Sequence, residues 1–243
     1  MGLLNYNFDW GLLWHAPYGA MLLGGIWTTI HLSLCAWCMA VIIGIIIGVL
    51  RVVPHRGWRL AGTLYVQIFR NTPLLVHLFF WYFAAPLLLS ETLQQWLYDN
   101  VGDYAYYAGV MGLGTYTASR VAEQFRAGFL SIPKGQYSAA YATGLRTVQV
   151  YRFVIVPHAL RIILPSFTTE FLTCFKNSAL TMTICVMETT HAAYYIDSFT
   201  WHGLETTTAA SVVYLVLSGC VILIMGWVEK RLRIGGRVGR GAM

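Results

Sequence analysis

Long apolar runs dominate this chain. A helix that crosses a bilayer needs about 20 mostly apolar residues, and five stretches read as such. The first extends from about Gly25 to Leu50, with the core VIIGIIIGVL, and the second from about Leu60 to Leu89, interrupted near Arg70 and Pro73. The third, from about Tyr104 to Thr117, is short and glycine-rich and gains length by continuing toward Phe125. The fourth runs from about Tyr151 to Cys185 and contains Pro157 and Pro165, which remove backbone donors and bend the start of the span. The fifth covers about Ala209 to Val228. The pattern predicts an all-α membrane protein with five transmembrane helices. Gly44 and Gly48 share a face of the first span, which lets another helix backbone approach. Glycine is also common enough in membrane helices for such a spacing to arise without that role.

The polar positions carry the orientation, because Lys and Arg accumulate in short cytoplasmic loops. Arg51, Arg56, Arg59 and Arg70 follow the first span, and Arg120, Arg126, Lys134, Arg146, Arg152 and Arg161 follow the third. Lys230, Arg231, Arg233, Arg237 and Arg240 follow the fifth, so of 16 basic residues only Lys176 stands apart. The intervening segments carry Asp9, then Glu91, Asp99 and Asp103, then Asp197 and Glu205, with no Lys or Arg. This predicts an N-terminus on the outer side of the membrane and a C-terminus in the cytoplasm.

Composition narrows the class. Of 243 residues 57% are hydrophobic and 11% charged, against about 25% charged in a soluble domain, so a soluble fold is not expected. The net charge of +6 follows from the loop bias rather than from a nucleic-acid-binding face. With no linker, low-complexity tract or repeat, residues 1–243 read as one transmembrane domain. MGLLNYNFDW has no basic residue ahead of the first apolar stretch, so that stretch is expected to remain in the mature protein. Cys35 and Cys38 form a C-x-x-C inside an apolar run, where thiols act as small hydrophobes, and His31, His77 and His158 lack metal-ligand spacing. H-E-x-x-H, G-x-S-x-G and the phosphate-binding G-x-x-x-x-G-K-[ST] are absent, which argues against an intramembrane enzyme and against ATP binding by this chain.

The loop between spans three and four, about 123–157, is long and basic. Pro133 and Gly135 mark a turn, QYSAAYAT is helix-compatible with a small-residue face at Ala139 and Ala140, and Gly144 can end the helix in the left-handed conformation. On physics alone such a helix fits a groove on another protein or an anionic headgroup surface. A passive channel would need no helix built to seat on another protein, so the small-residue helix ending at Gly144 argues against one.

The segment resembles the cytoplasmic coupling loop of ATP-binding-cassette import permeases, whose signature is E-A-A, three residues, Gly, nine residues, Ile, any residue, Leu, Pro. The register places Ser138, Ala139, Ala140, Gly144, Val154, Val156 and Pro157 on it, with Ser138 where the family carries Glu. YVQIFRNTPLLVHLFFWYF at Tyr65 to Phe83 and FKNSALTMTI at Phe175 to Ile184 are similar to the polar amino-acid branch (histidine, glutamine, glutamate), above all to its glutamate/aspartate import permeases. The resemblance implies an importer-permease fold with a short cytoplasmic coupling helix. It also implies a second permease subunit, the same or similar, and a periplasmic amino-acid-binding protein. Two partner ATPases would hold the ATP and Mg, with no cofactor in this chain. Transport would proceed by alternating access, with Ser138, Ala139, Ala140, Gly144 and Pro157 meeting the ATPase.

Ionisable residues inside a span are costly and tend to face a pathway or one another. Arg70, Glu170, Lys176 and Glu188 qualify, with Asn177 and Ser178 following Lys176. Arg70 also fits a cytoplasmic-side anchor, and Lys176 also fits a partner on another helix or an interface. Glu170 and Lys176 are about 240° apart around a helix, so they do not pair on one face. Lys176, aided by Asn177 and Ser178, is the candidate contact for the carboxylate of an acidic amino acid.

Overall fold

A computed structural model describes residues 6–53 and 55–232, and the described residues form helices and connecting turns with no strand. The basic residues Arg233, Arg237 and Arg240 lie outside them. The helices are α1 (Tyr18–Val52), α2 (Arg56–Asn71), α3 (Leu74–Phe79), α4 (Glu91–Asn100), α5 (Tyr104–Leu130), α6 (Lys134–Ala142), α7 (Thr147–Val150), α8 (Val156–Asn177), α9 (Thr189–Thr200) and α10 (Gly203–Leu232). Three continuous stretches, Tyr18–Val52, Thr147–Ile184 and Gly203–Arg231, are long and apolar enough to cross a membrane.

The hydrophobic pattern of α1 conceals a pattern of size. Its buried positions are Gly25, Thr29, Leu32, Ser33, Ala36, Ala40, Gly44 and Gly48, nearly all small and spaced three or four apart. Leu23, Trp27, Leu34, Ile42, Ile46 and Val49 are exposed. In lipid, apolar surface gains little by leaving its surroundings, so helices associate where small residues let backbones come close. The partner is α5, whose buried residues, Ala108 to Phe129, occupy almost every face.

Two expected spans differ in form. The third is not short: α5 has 27 residues, about 40 Å at 1.5 Å per residue. Its weak hydropathy reflects a central position, since a helix surrounded by protein can use Gly, Ala, Ser and Thr where a lipid-facing one needs Leu and Ile. The second divides into α2 and α3. Pro73 disfavours a helical Thr72, which is extended at φ −100° and ψ 143°. His77 stitches the break, with Nε2 2.7 Å from Thr72 Oγ1 and 3.2 Å from the Phe69 carbonyl. The apolar part, Leu74–Ala84, is too short to cross alone.

The fourth run is one helical path with changes of pitch. A π-helical turn at Tyr151–Ile155 leads into α8 at Val156, where Pro157 has no N–H for an ordinary helical bond, and α8 continues through Pro165. A 3₁₀ segment, Ser178–Ile184, ends at Cys185 with φ +65°. Between it and α10 lies α9, a helix that hydropathy did not reveal.

Three polar ties cross the bundle. Arg120 holds Glu170 in a bidentate pair, with Nε to Oε2 at 2.6 Å and Nη2 to Oε1 at 3.1 Å, joining α5 to α8. Glu123 binds Arg51 of α1 and, at 2.5 Å, Arg126 of its own helix. Thr168 donates to Glu229 at 2.6 Å, joining α8 to α10.

The seam between α1 and α5 is testable. A Cβ at Gly44 would lie 2.5 Å from Val121 Cγ1 and 3.0 Å from the Ala118 carbonyl oxygen, whereas one at Gly24 would meet nothing within 4 Å. Gly44→Ala should cost about 1–3 kcal/mol through overpacking and lower the melting temperature of the purified protein in detergent, while Gly24→Ala should leave it unchanged or raised. Equal melting of the two variants would contradict the seam.

Candidate functional site

Two regions carry the chemistry singled out in the sequence. The first is α6 and its flanks. Pro133 is the N-cap of α6, so Gly135 lies in its first turn rather than in a preceding one. Adjacent residues on a helix are about 100° apart, and Ala139 and Ala140 divide accordingly. Ala140 is buried in a cluster with Phe125, Phe129, Ile132, Val150, Ile155, Ala159 and Ile163, whereas Ser138, Ala139 and Tyr141 are exposed. Burial pushes the Tyr137 hydroxyl up from its ordinary value, with smaller contributions from Tyr151 and Tyr141. Gly144 follows the helix at φ +82°, and a Cβ there would meet nothing within 4 Å. Glycine is needed there for the backbone angle alone. Pro157 is half-buried in the first turn of α8, where the chain returns toward the bundle.

The result is a small helix fastened on its inner side by Ala140 and presenting a low, nearly uncharged outer side. Ser138 donates to the Lys134 carbonyl at 3.3 Å, a local bond that leaves its helix turn exposed.

The second region is a groove of about 720 Å³ between the end of α8, α9 and α10. Lys176 lines it, as do Thr190 and Asp197 of α9 and Thr207, Ser211, Tyr214 and Ser218 of α10. The four α10 residues fall at intervals of four, three and four, which places four hydroxyls on one helix face. That stripe is the signal that reasoning from hydropathy missed, since each residue alone is unremarkable in an apolar helix.

Among the residues expected in a pathway, Lys176 is the one that opens onto the groove. Glu170 is buried and engaged by Arg120. Ser178 is fully buried and donates to the Phe175 carbonyl at 2.7 Å, so its proton is committed to the turn that ends α8. Asn177 is half-buried beside it, outside the groove lining, and Arg70 is exposed at the end of α2, also outside that lining. Glu188 is fully buried behind the groove as the N-cap of α9.

Residues 40–234 match the family model described as "Binding-protein-dependent transport system inner membrane component". The chain is 38% identical to the glutamate/aspartate import permease protein GltJ of Escherichia coli (strain K12), over 97% of this chain and 99% of that one. It is 29% identical to the probable glutamine ABC transporter permease protein GlnM of Bacillus subtilis (strain 168), over 88% and 94%. The fold is similar to that in a crystal structure of an amino acid ABC transporter with histidines, at TM-score 0.78 and 28% identity over 93% of this chain and all of the other. The inward-facing MetNI methionine ABC transporter matches in fold at TM-score 0.73 and 20% identity, over 90% of this chain. The chain therefore belongs to the binding-protein-dependent transport system inner membrane components and is a permease subunit of an ATP-binding-cassette importer, not an enzyme.

Proposed function

We propose that this subunit imports an acidic amino acid, glutamate or aspartate, from periplasm to cytoplasm by alternating access. The observation that carries the proposal is Lys176, the one basic residue outside the basic loops, opening onto a hydroxyl-lined groove. A lysine offers three donors and a positive charge to a carboxylate. The similarity to the glutamate/aspartate import permease favours the same cargo.

The chain is a multi-pass inner-membrane component whose ATP hydrolysis belongs to partner ATPase subunits. Within the proposal, those partners hold ATP and Mg, a second permease subunit completes the pathway, and a periplasmic binding protein delivers the cargo. The chain crosses five times, with α2 and α3 together making the second crossing and α5 the third. Its N-terminus faces the periplasm and its C-terminus the cytoplasm. The outer side of α6, with Ser138 and Ala139, meets the ATPase, while Ala140, Gly144 and Pro157 fix how α6 is held. Closure of the ATPases on ATP displaces α6 and switches the helices between inward-open and outward-open arrangements, a rigid-body change.

Uptake by proteoliposomes containing the complete transporter tests the cargo. Lys176→Met should reduce glutamate uptake by about tenfold or more, the loss expected when a hydrogen bond to a charged group disappears. Undiminished uptake in an assembled complex would remove Lys176 from the pathway. Gly144→Arg should uncouple transport from ATP, since the left-handed backbone disfavours a side chain by about 1–2 kcal/mol and the arginine projects where α6 ends. Full ATP-dependent uptake by a normally assembled Gly144→Arg complex would refute the coupling assignment. Orientation is measured in cells by impermeant maleimide after replacement of the native cysteines. Trp201→Cys should label in intact cells and Ser138→Cys only after permeabilisation, and the reverse order would invert the topology.

A further inference from the structure

Behind the groove lies a second polar arrangement, opposite in character to Lys176. Glu188 caps α9, accepting from the Thr190 backbone N–H at Oε2 and from that of His191 at Oε1, both at 2.8 Å. Two backbone donors fix the plane of this carboxylate. Its Oε2 then accepts the Tyr214 hydroxyl at 2.7 Å, and Thr29 Oγ1 lies 3.5 Å away. Among the described residues the salt bridges involve Glu123 and Glu170, so Glu188 is held by neutral donors alone.

The consequence falls on Tyr214. A phenol has one proton to donate, and here it is committed to Glu188. Toward everything else Tyr214 Oη is an acceptor, and Thr190 Oγ1 donates to it from 3.4 Å. Tyr214 and Thr190 both line the groove that Lys176 lines, as does the Asp197 carboxylate. The groove therefore offers a donor-only cation at Lys176 and acceptors at Tyr214 and Asp197. A zwitterion presents the matching pair of groups.

We propose that Tyr214 Oη accepts the α-ammonium group of the amino acid while Lys176 takes a carboxylate, with Glu188 the positioning residue that keeps the tyrosine an acceptor. This rests on the groove being the path of the cargo. It accounts for a carboxylate buried among neutral partners, a costly placement for a purely structural cap, and for a tyrosine within the hydroxyl stripe of α10.

The test compares glutamate with glutarate, which keeps both carboxylates and lacks the ammonium group, as ligands of the assembled permease–ATPase complex in nanodiscs. Tyr214→Phe should weaken glutamate binding about tenfold and leave glutarate unchanged. Glu188→Gln should erode the same preference, and a Tyr214→Phe change added to it should have little further effect on the ratio. Lys176→Met should weaken both ligands. Parallel weakening of glutamate and glutarate by Tyr214→Phe, or unchanged glutamate binding, overturns the assignment of Tyr214. A wild-type glutamate-to-glutarate ratio in Glu188→Gln overturns the positioning role. If Tyr214→Phe is selective while Lys176→Met changes neither ligand, the reading of Lys176 fails alone. Absence of glutamate binding to the wild-type complex overturns both.

Discussion

The close approach of two helix backbones, α1 and α5, is the constraint on which the rest of the molecule depends. Lipid tails are as apolar as leucine, so these helices gain little by hiding apolar surface from their surroundings and must instead gain dispersion contacts and shape fit. Gly44 and Gly48 accept Val121 and Phe125 of α5 at distances that any Cβ would obstruct. With α1 fixed along one side, α5 is surrounded by α2, α3 and α8 as well. Its small and hydroxyl-bearing residues follow from that position. The glycine at 112 repeats the device on another face, where Leu78 of α3 comes within 3 Å of where a Cβ would stand.

Dispersion contacts of this kind tolerate sliding by a turn, and charged pairs remove that freedom. Glu170 is nearly inaccessible, so a shift of α8 that parted it from Arg120 would strand a carboxylate. Glu123 acts similarly between the end of α1 and the following turn of α5. Both pairs lie in the stretch of α5 that precedes α6. The same arginines that bias the loops by charge thus also set helix register, with the two effects operating on the same side of the protein.

Much of this order was legible in the sequence, for physical reasons that differ between elements. The apolar runs of α1, α8 and α10 face outward and announce themselves. The loop containing α6 was readable because Pro133 and Gly144 bound it and glycine alone suits φ +82°. What stayed hidden depended on partners distant in the chain. The length of α5 was obscured because protein surrounds it, and α9 because its N-cap, Glu188, draws its meaning from Thr29 and Tyr214. Glu170 and Ser178 looked available from residue type, yet Arg120 and the Phe175 carbonyl had already engaged them. The α10 hydroxyls were visible as letters, but only helical phase turns them into a stripe.

The bidentate tie between Arg120 and Glu170 has a mechanical consequence. α6 hangs between the C-terminal end of α5 and the start of the α7–α8 path, and two parallel hydrogen bonds resist both separation and twist of α5 against α8. A load applied to α6 cannot be dissipated by splaying these two helices, so they respond as a braced frame with a single stiffness. The departures from regular helix lie instead between α8 and α10, at the 3₁₀ segment 178–184 and the left-handed residues Cys185 and Trp201, and Ala179 and Met182 of that segment line the groove.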